Sequence, residues 1–141
     1  MSAFQLRGGR PPIVIAEHEA DALYDLALRS RVRHPHSAAL LLEELERAQT
    51  LPEAELPGDV VTMGSHVLFR DRASGEEHTV QLVYPAAADM AHHRVSVLTP
   101  IGAALIGVPR GRAIGWPNRQ GEYRGLEIVA VIQPAAQERA A

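Results

Sequence analysis

The sequence predicts an α+β fold, a short N-terminal antiparallel helical hairpin followed by a twisted antiparallel β-sheet that carries one short helix. Three observations predict it. Apolar residues recur at three- and four-residue spacing as far as Ala48, the period moves towards two beyond Asp59, and a breaker-rich stretch with Pro52, Pro57 and Gly58 divides the two patterns. A chain of 141 residues, 46% hydrophobic and 22% charged, has room for one core plus a helical appendage.

Residues 1–12, with Arg7, Gly8, Gly9, Arg10, Pro11 and Pro12, lack periodicity and read as a flexible arm. Ile13, Val14 and Ile15 are a β-branched run that suits either a short strand or the entry to a helix. From Glu17 to Ser30, Ala20, Leu23, Leu26 and Ala27 give a helical stripe, with Glu17, Glu19 and Asp21 where a helix N-terminus favours negative charge. Pro35 disfavours helical geometry at His34 and forces a turn. Ser37 then caps a second helix through Ala48, with Leu41, Leu42, Leu45 and Ala48 as its apolar face and Glu43, Glu44 and Glu46 towards water. Helices joined by so short a turn pack antiparallel, which makes residues 13–50 a hairpin, a short coiled coil. Residues 51–59 follow as a linker.

Residues 60–134 form the sheet domain, and 135–141 a flexible tail. Val67 with Phe69, then Val80, Leu82 and Tyr84, then Val95 and Val97, and finally Leu126, Val129 and Val131 mark four strands, with Ala113 to Trp116 a shorter fifth. Ser74-Gly75, residues 86–93 and Gln120-Gly121 punctuate them. Between Pro100 and Gly107, Ile101, Ala104 and Leu105 suit one or two helical turns started by a proline and stopped by a glycine.

Composition removes several function classes. With no cysteine there is no disulfide framework, thiolate metal site or cysteine nucleophile, which fits a reducing cytoplasm. No apolar run approaches the roughly 20 residues that span a bilayer, and the first residues lack the apolar stretch of a secretory signal, so no membrane association is expected. A net charge of −3 argues against direct nucleic-acid binding, although all 14 basic residues are arginine. No G-x-S-x-G elbow, Walker loop or kinase glycine loop occurs, and no catalytic residue follows. The seven histidines, His34 with His36 and His92 with His93 among them, lack a supporting carboxylate pattern and read as surface-loop residues, so neither metal nor other cofactor is expected.

The run Leu98-Thr99-Pro100-Ile101-Gly102-Ala103-Ala104-Leu105-Ile106-Gly107 resembles the signature loop of the Gre transcription factor C-terminal domain. Pro57 to Ser65 and Leu82-Val83-Tyr84-Pro85 resemble the regulator of nucleoside diphosphate kinase (Rnk) family, related to the GreA and GreB factors. The likeness runs from about Ile13 to Gln133 and rests on several segments recurring in order. It implies an FKBP-like sheet domain and a cytoplasmic regulator that binds RNA polymerase at the rim of its secondary channel, in indirect competition with Gre-type factors; a monomer is expected, with the oligomeric state left open by the sequence. It implies no kinase chemistry.

On that resemblance Thr99, Pro100 and Ile101 are the expected polymerase-binding residues, since a proline-fixed turn costs little entropy to order on a partner. The same segment also suits a simpler role as helix cap and chain turn. Gre factors carry carboxylates at the hairpin tip that help hold magnesium, whereas this tip offers Arg31, Arg33, His34 and His36, which oppose cation binding. A helix of about 14 residues is only about 20 Å long, so channel occupancy without transcript cleavage is expected. Glu43, Glu44 and Glu46 suit either contact with a basic channel surface or an ordinary solvated face. The alternatives are a general protein-binding adaptor or a prolyl isomerase. The latter needs an aromatic-lined pocket, and the aromatics here are scattered.

Overall fold

The computed structural model describes residues 10–117 and 123–135. Strand β1 (Val14–Ala16) leads directly into helix α1 (Glu17–Arg29), and helix α2 (Pro35–Arg47) leads into strand β2 (Gln49–Leu51). The remaining elements are β3 (His66–Asp71), β4 (Glu77–Val83), β5 (Arg94–Ser96), helix α3 (Pro100–Leu105), β6 (Ala113–Pro117) and β7 (Tyr123–Ile132). The α+β class holds, and the five strands expected after the hairpin are all present. The expected turn at Gln120-Gly121, residues 1–9 of the expected arm and residues 136–141 of the expected tail lie outside the described residues.

The hairpin begins and ends differently from expectation. Pro35 does not merely stop the first helix; it is the first residue of the second, with His34 at the cap position, because proline's fixed φ suits a first turn whose N–H would be unpaired anyway. The β-branched run at the start is a strand. It pairs in parallel with Gln49–Leu51, in register Val14↔Gln49 to Ala16↔Leu51, so Leu51, expected to open the linker, is a ladder residue. This ribbon staples together the N-terminus of α1 and the C-terminus of α2. Arg10 and Pro11, expected in the loose arm, are fixed as well: Pro11 is buried and its carbonyl accepts from Arg47 Nη1 at 2.7 Å.

The main sheet has the order β5-β4-β3-β7-β6. Pairings β3/β4, β3/β7 and β6/β7 are antiparallel as expected, but β5 runs parallel to β4. Two short 3₁₀ turns, Pro85–Ala87 and Met90–His92, carry the chain back across the sheet end before β5 starts, so the sheet is mixed. Its curl is compatible with the FKBP-like expectation. A bulge also explains an awkward spacing in the last strand: Leu68 faces Ala130 while Phe69 faces Ile128, leaving Val129 as the extra residue. Leu126 and Ile128 therefore point into the core before the bulge and Val131 packs against it afterwards.

One apolar cluster joins the two halves. Leu23, Ala27, Leu41 and Leu45 of the hairpin are buried in contact with the same core as Val67, Leu82, Leu105 and Ile128. Two acids lie in the apolar faces. Glu19 is buried and accepts from the Met63 backbone N–H at 3.3 Å. Glu44, expected towards water, is buried too: it pairs with Arg47 at 2.7 Å and with Arg10. Charges inside a protein persist when paired and hydrogen-bonded, and here they tie the base of the hairpin to the neighbouring backbone.

Candidate functional site

The corner after β5 is closed by its own polar groups. Thr99 is the N-cap of α3, its Oγ1 accepting from Gly102 N at 3.1 Å while donating to Ser96 O at 2.7 Å. Ser96 Oγ accepts from Leu98 N at 3.0 Å, and the Thr99 carbonyl accepts from Ala103 N at 2.9 Å. Pro100 stands at the first helical position, where its missing N–H costs nothing, and its side chain is exposed. Of the three expected contact residues, Pro100 alone is exposed. Thr99 is half-buried with its hydroxyl committed to the turn, and Ile101 is half-buried against the core. The capping role thus coexists with an exposed apex.

Gly102 and Gly107 let this corner sit tightly. A Cβ on Gly102 would overlap the Ser96 carbonyl oxygen and lie 2.8 Å from Val97 Cα, so α3 packs directly on the backbone leaving β5. Gly107 takes φ +77 to end the helix, and its carbonyl accepts from Val14 N at 3.1 Å. The segment from Pro57 to Ser65 locks onto the same place: Val61 N donates to Val108 O at 3.0 Å and Gly107 N to Val61 O at 2.8 Å. Leu82 N donates to Ser65 O at 3.0 Å, so all three sequence segments that carry the family likeness meet in space.

The hairpin tip lies at the opposite end of α1 and α2 from the β1/β2 ribbon. Arg31, Val32, Arg33, His34 and His36 are all exposed, and Val32 is 92% exposed. Each helix has 13 residues, so at 1.5 Å per residue the hairpin is about 20 Å long. The magnesium implied by the carboxylate tips of Gre factors does not fit this donor set, because Arg31 and Arg33 offer no lone pair and no carboxylate lies between Asp25 and Glu43. Among the described residues no group of three or more His, Asp or Glu side chains is placed to hold a metal ion. His92 instead pairs with Asp89 at 2.6 Å, and His93 occupies a left-handed turn position with φ 57. No helix among the described residues is long and apolar enough to cross a membrane.

Sequence reasoning missed the buried acids and the Tyr84 phenol beside one of them. Burial, and secondarily the charge of Glu19, raises the Tyr84 pKa above its ordinary value of 10.0. Spacing held the clue: Glu19 precedes Leu23 and Ala27 at four-residue intervals, and Glu44 follows Leu41 by three. Both acids fall on the inward stripe.

A curled sheet with a glycine-packed corner, fused to a short helical hairpin, defines a transcription-related regulator of the Gre type. Residues 56–133 match the family model "Transcription elongation factor, GreA/GreB, C-term". The chain is 38% identical to the regulator of nucleoside diphosphate kinase of Escherichia coli K12 over 128 residues, 90% of this chain and 94% of that protein. It is 37% identical over 130 residues to transcription elongation factor GreA of Mesorhizobium japonicum, covering 86% and 82% of the two chains. A solved GreA/GreB elongation factor structure from Nitrosomonas europaea superposes with a TM-score of 0.69 at 37% identity, covering 86% of this chain and 98% of that one. The chain belongs to the GreA/GreB family and is a relative of the regulator of nucleoside diphosphate kinase.

Proposed function

We propose that this protein binds RNA polymerase at the rim of the secondary channel through the corner at Thr99, Pro100 and Ile101, and thereby excludes Gre-type factors. It acts in the cytoplasm as a monomer and is not itself an enzyme. The sheet domain supplies the grip and the hairpin occupies the channel entrance without stimulating transcript cleavage. One observation carries the reading: a Gre-type corner with an exposed Pro100 is combined with a tip that has no carboxylate from Leu26 to Leu42. The corner retains the means of docking and the tip has lost the means of holding magnesium. The division of labour within the corner follows from its hydrogen bonds. Thr99 sets the shape, Ile101 anchors it to the core, and Pro100 presents a preordered apolar edge whose immobilisation costs little entropy.

The test is competition on purified polymerase. The chain should bind, a Gre factor should displace it, and stalled complexes should show no added RNA hydrolysis when it is present. Pro100→Glu should weaken binding by roughly 2 kcal/mol if the apex is an interface hot spot. Failure of the chain to bind polymerase, or indifference to a Gre factor, would remove the channel reading, and strong cleavage stimulation would remove the description of the tip.

A further inference from the structure

Charge is sharply divided along the hairpin. Glu19, Glu43, Glu44 and Glu46 lie towards the base, whereas Arg29, Arg31, Arg33, His34 and His36 occupy the interval between Asp25 and Glu43, which contains no acid. Asp25 is spent on Arg29 at 3.1 Å. Arg31 and Arg33 form no ion pair among the described residues, and Arg31 reaches only the Leu28 carbonyl, at 3.4 Å. The placement also runs against local helix energetics. A helix N-terminus favours negative charge, yet the first turn of α2 holds no acid, its cap His34 makes no side-chain capping bond, and Arg33, His34 and His36 surround it. The positive end of the α2 dipole thus adds to the field of the two guanidinium groups. At the apex Val32 is 92% exposed between Arg31 and Arg33, an apolar side chain that contributes nothing to the core.

We propose that the tip is a docking surface for a carboxylate-lined depression on a protein partner, with Arg31 and Arg33 pairing with carboxylates and Val32 entering as an apolar peg. The inference rests on the polymerase reading above and gives the tip an attractive role in it, where the corner alone would otherwise provide the contact. A protein surface fits better than a nucleic acid. An extended phosphate backbone would meet only the two arginines that lack an ion pair, Arg29 being held by Asp25, before running along a shaft bearing Glu43 and Glu46, and like charges there repel it. A compact acidic cluster meets the tip alone. Complementary charge of this kind chiefly accelerates encounter and is screened by salt.

The experiment measures association and dissociation of the full-length chain with purified polymerase across a salt series. Arg31→Glu with Arg33→Glu should reduce affinity at least tenfold at low salt, mainly through the association rate, and flatten the salt dependence. Val32→Asp should weaken binding severalfold, and Arg72→Glu, on the β3/β4 turn, should change nothing. All these side chains are exposed, and unchanged thermal melting verifies that the variants fold. If the unaltered chain binds while the double arginine variant retains full affinity and salt dependence, the tip proposal is wrong and the corner reading stands. If the unaltered chain does not bind polymerase, both fall. Retention of a labelled single-stranded RNA through Arg31 and Arg33 would overturn the proposal in favour of a nucleic-acid contact.

Discussion

The two ends of the hairpin solve opposite problems. At the base, Glu44 is buried between Arg47 and Arg10, Glu19 accepts from Met63, and β1 pairs with β2, so charge and backbone are satisfied internally. At the tip, charge of one sign stands in water and the second helix starts without a side-chain cap. Both helices share the core of the sheet, whereas the turn residues Arg31 to His34 take no part in it. A hairpin built this way is a fixed lever. Its direction is set by packing, which leaves the residues at the end free to be chosen for what they contact.

The largest test of that contrast is Leu41→Ala, which removes a fully buried side chain from the shared core. A loss of about 3 kcal/mol is expected, and hairpin and sheet amides should lose hydrogen-exchange protection together. If the hairpin amides open while the sheet remains protected, the base is a hinge and the lever picture fails. Gly102→Ala comes next, at about 2–3 kcal/mol, since its Cβ would meet the backbone of Ser96 and Val97 and not a flexible side-chain end. Urea unfolding measures the loss. Polymerase binding should fall with it, because α3 must move to relieve the overlap.

Much of this architecture is legible in the sequence where one period dominates. The two helices, the five sheet strands and the proline-started, glycine-stopped helix all announce themselves by spacing and punctuation. What escapes depends on tertiary partners. The β1/β2 ribbon consists of two three-residue strands that pair across an intervening hairpin, and no local pattern encodes such pairing. Parallel β5 follows from how the 3₁₀ turns route the chain, whereas strand periodicity carries no direction. In β7 the bulge at Val129 breaks the alternation that would have singled out Ile128 as core. Glu19 and Glu44 sit on the apolar stripes, yet residue type suggests solvent for both. At the candidate site, the exposed apex of Pro100 was readable from its sequence context. The internal commitment of Thr99 to Ser96 and Gly102 needed the folded corner.

The corner sharpens the comparison at smaller magnitude. Thr99→Ala removes the hydroxyl that caps α3 and ties it to Ser96, for an expected loss of about 1 kcal/mol, while Thr99→Ser should keep both hydrogen bonds and recover most of it. Thermal unfolding distinguishes the two variants. If Thr99→Ala weakens polymerase binding far more than it lowers stability, the hydroxyl touches the partner directly and does more than shape the turn.

The smallest expected effect lies at the base and depends on pH. Folding raises the Tyr84 pKa, first through burial and then through the nearby Glu19 charge. The folded phenol therefore holds its proton more tightly than the unfolded one. Its contribution to stability is complete below the unfolded value of about 10 and declines as pH rises through the folded value. Tyr84 is 39% exposed, so water screens much of the effect. Tyr84→Phe should leave stability near neutral pH almost unchanged and flatten its fall on the alkaline side, as read by urea midpoints through that range. Glu19→Gln should move the phenol back towards its ordinary value, visible by ultraviolet titration. The shift should survive only in the part due to burial, because the neutral amide removes the charge and leaves the packing in place. No response to Glu19→Gln would mean that the carboxylate and the phenol are not near neighbours in solution, and the base would then be looser than its buried charges require.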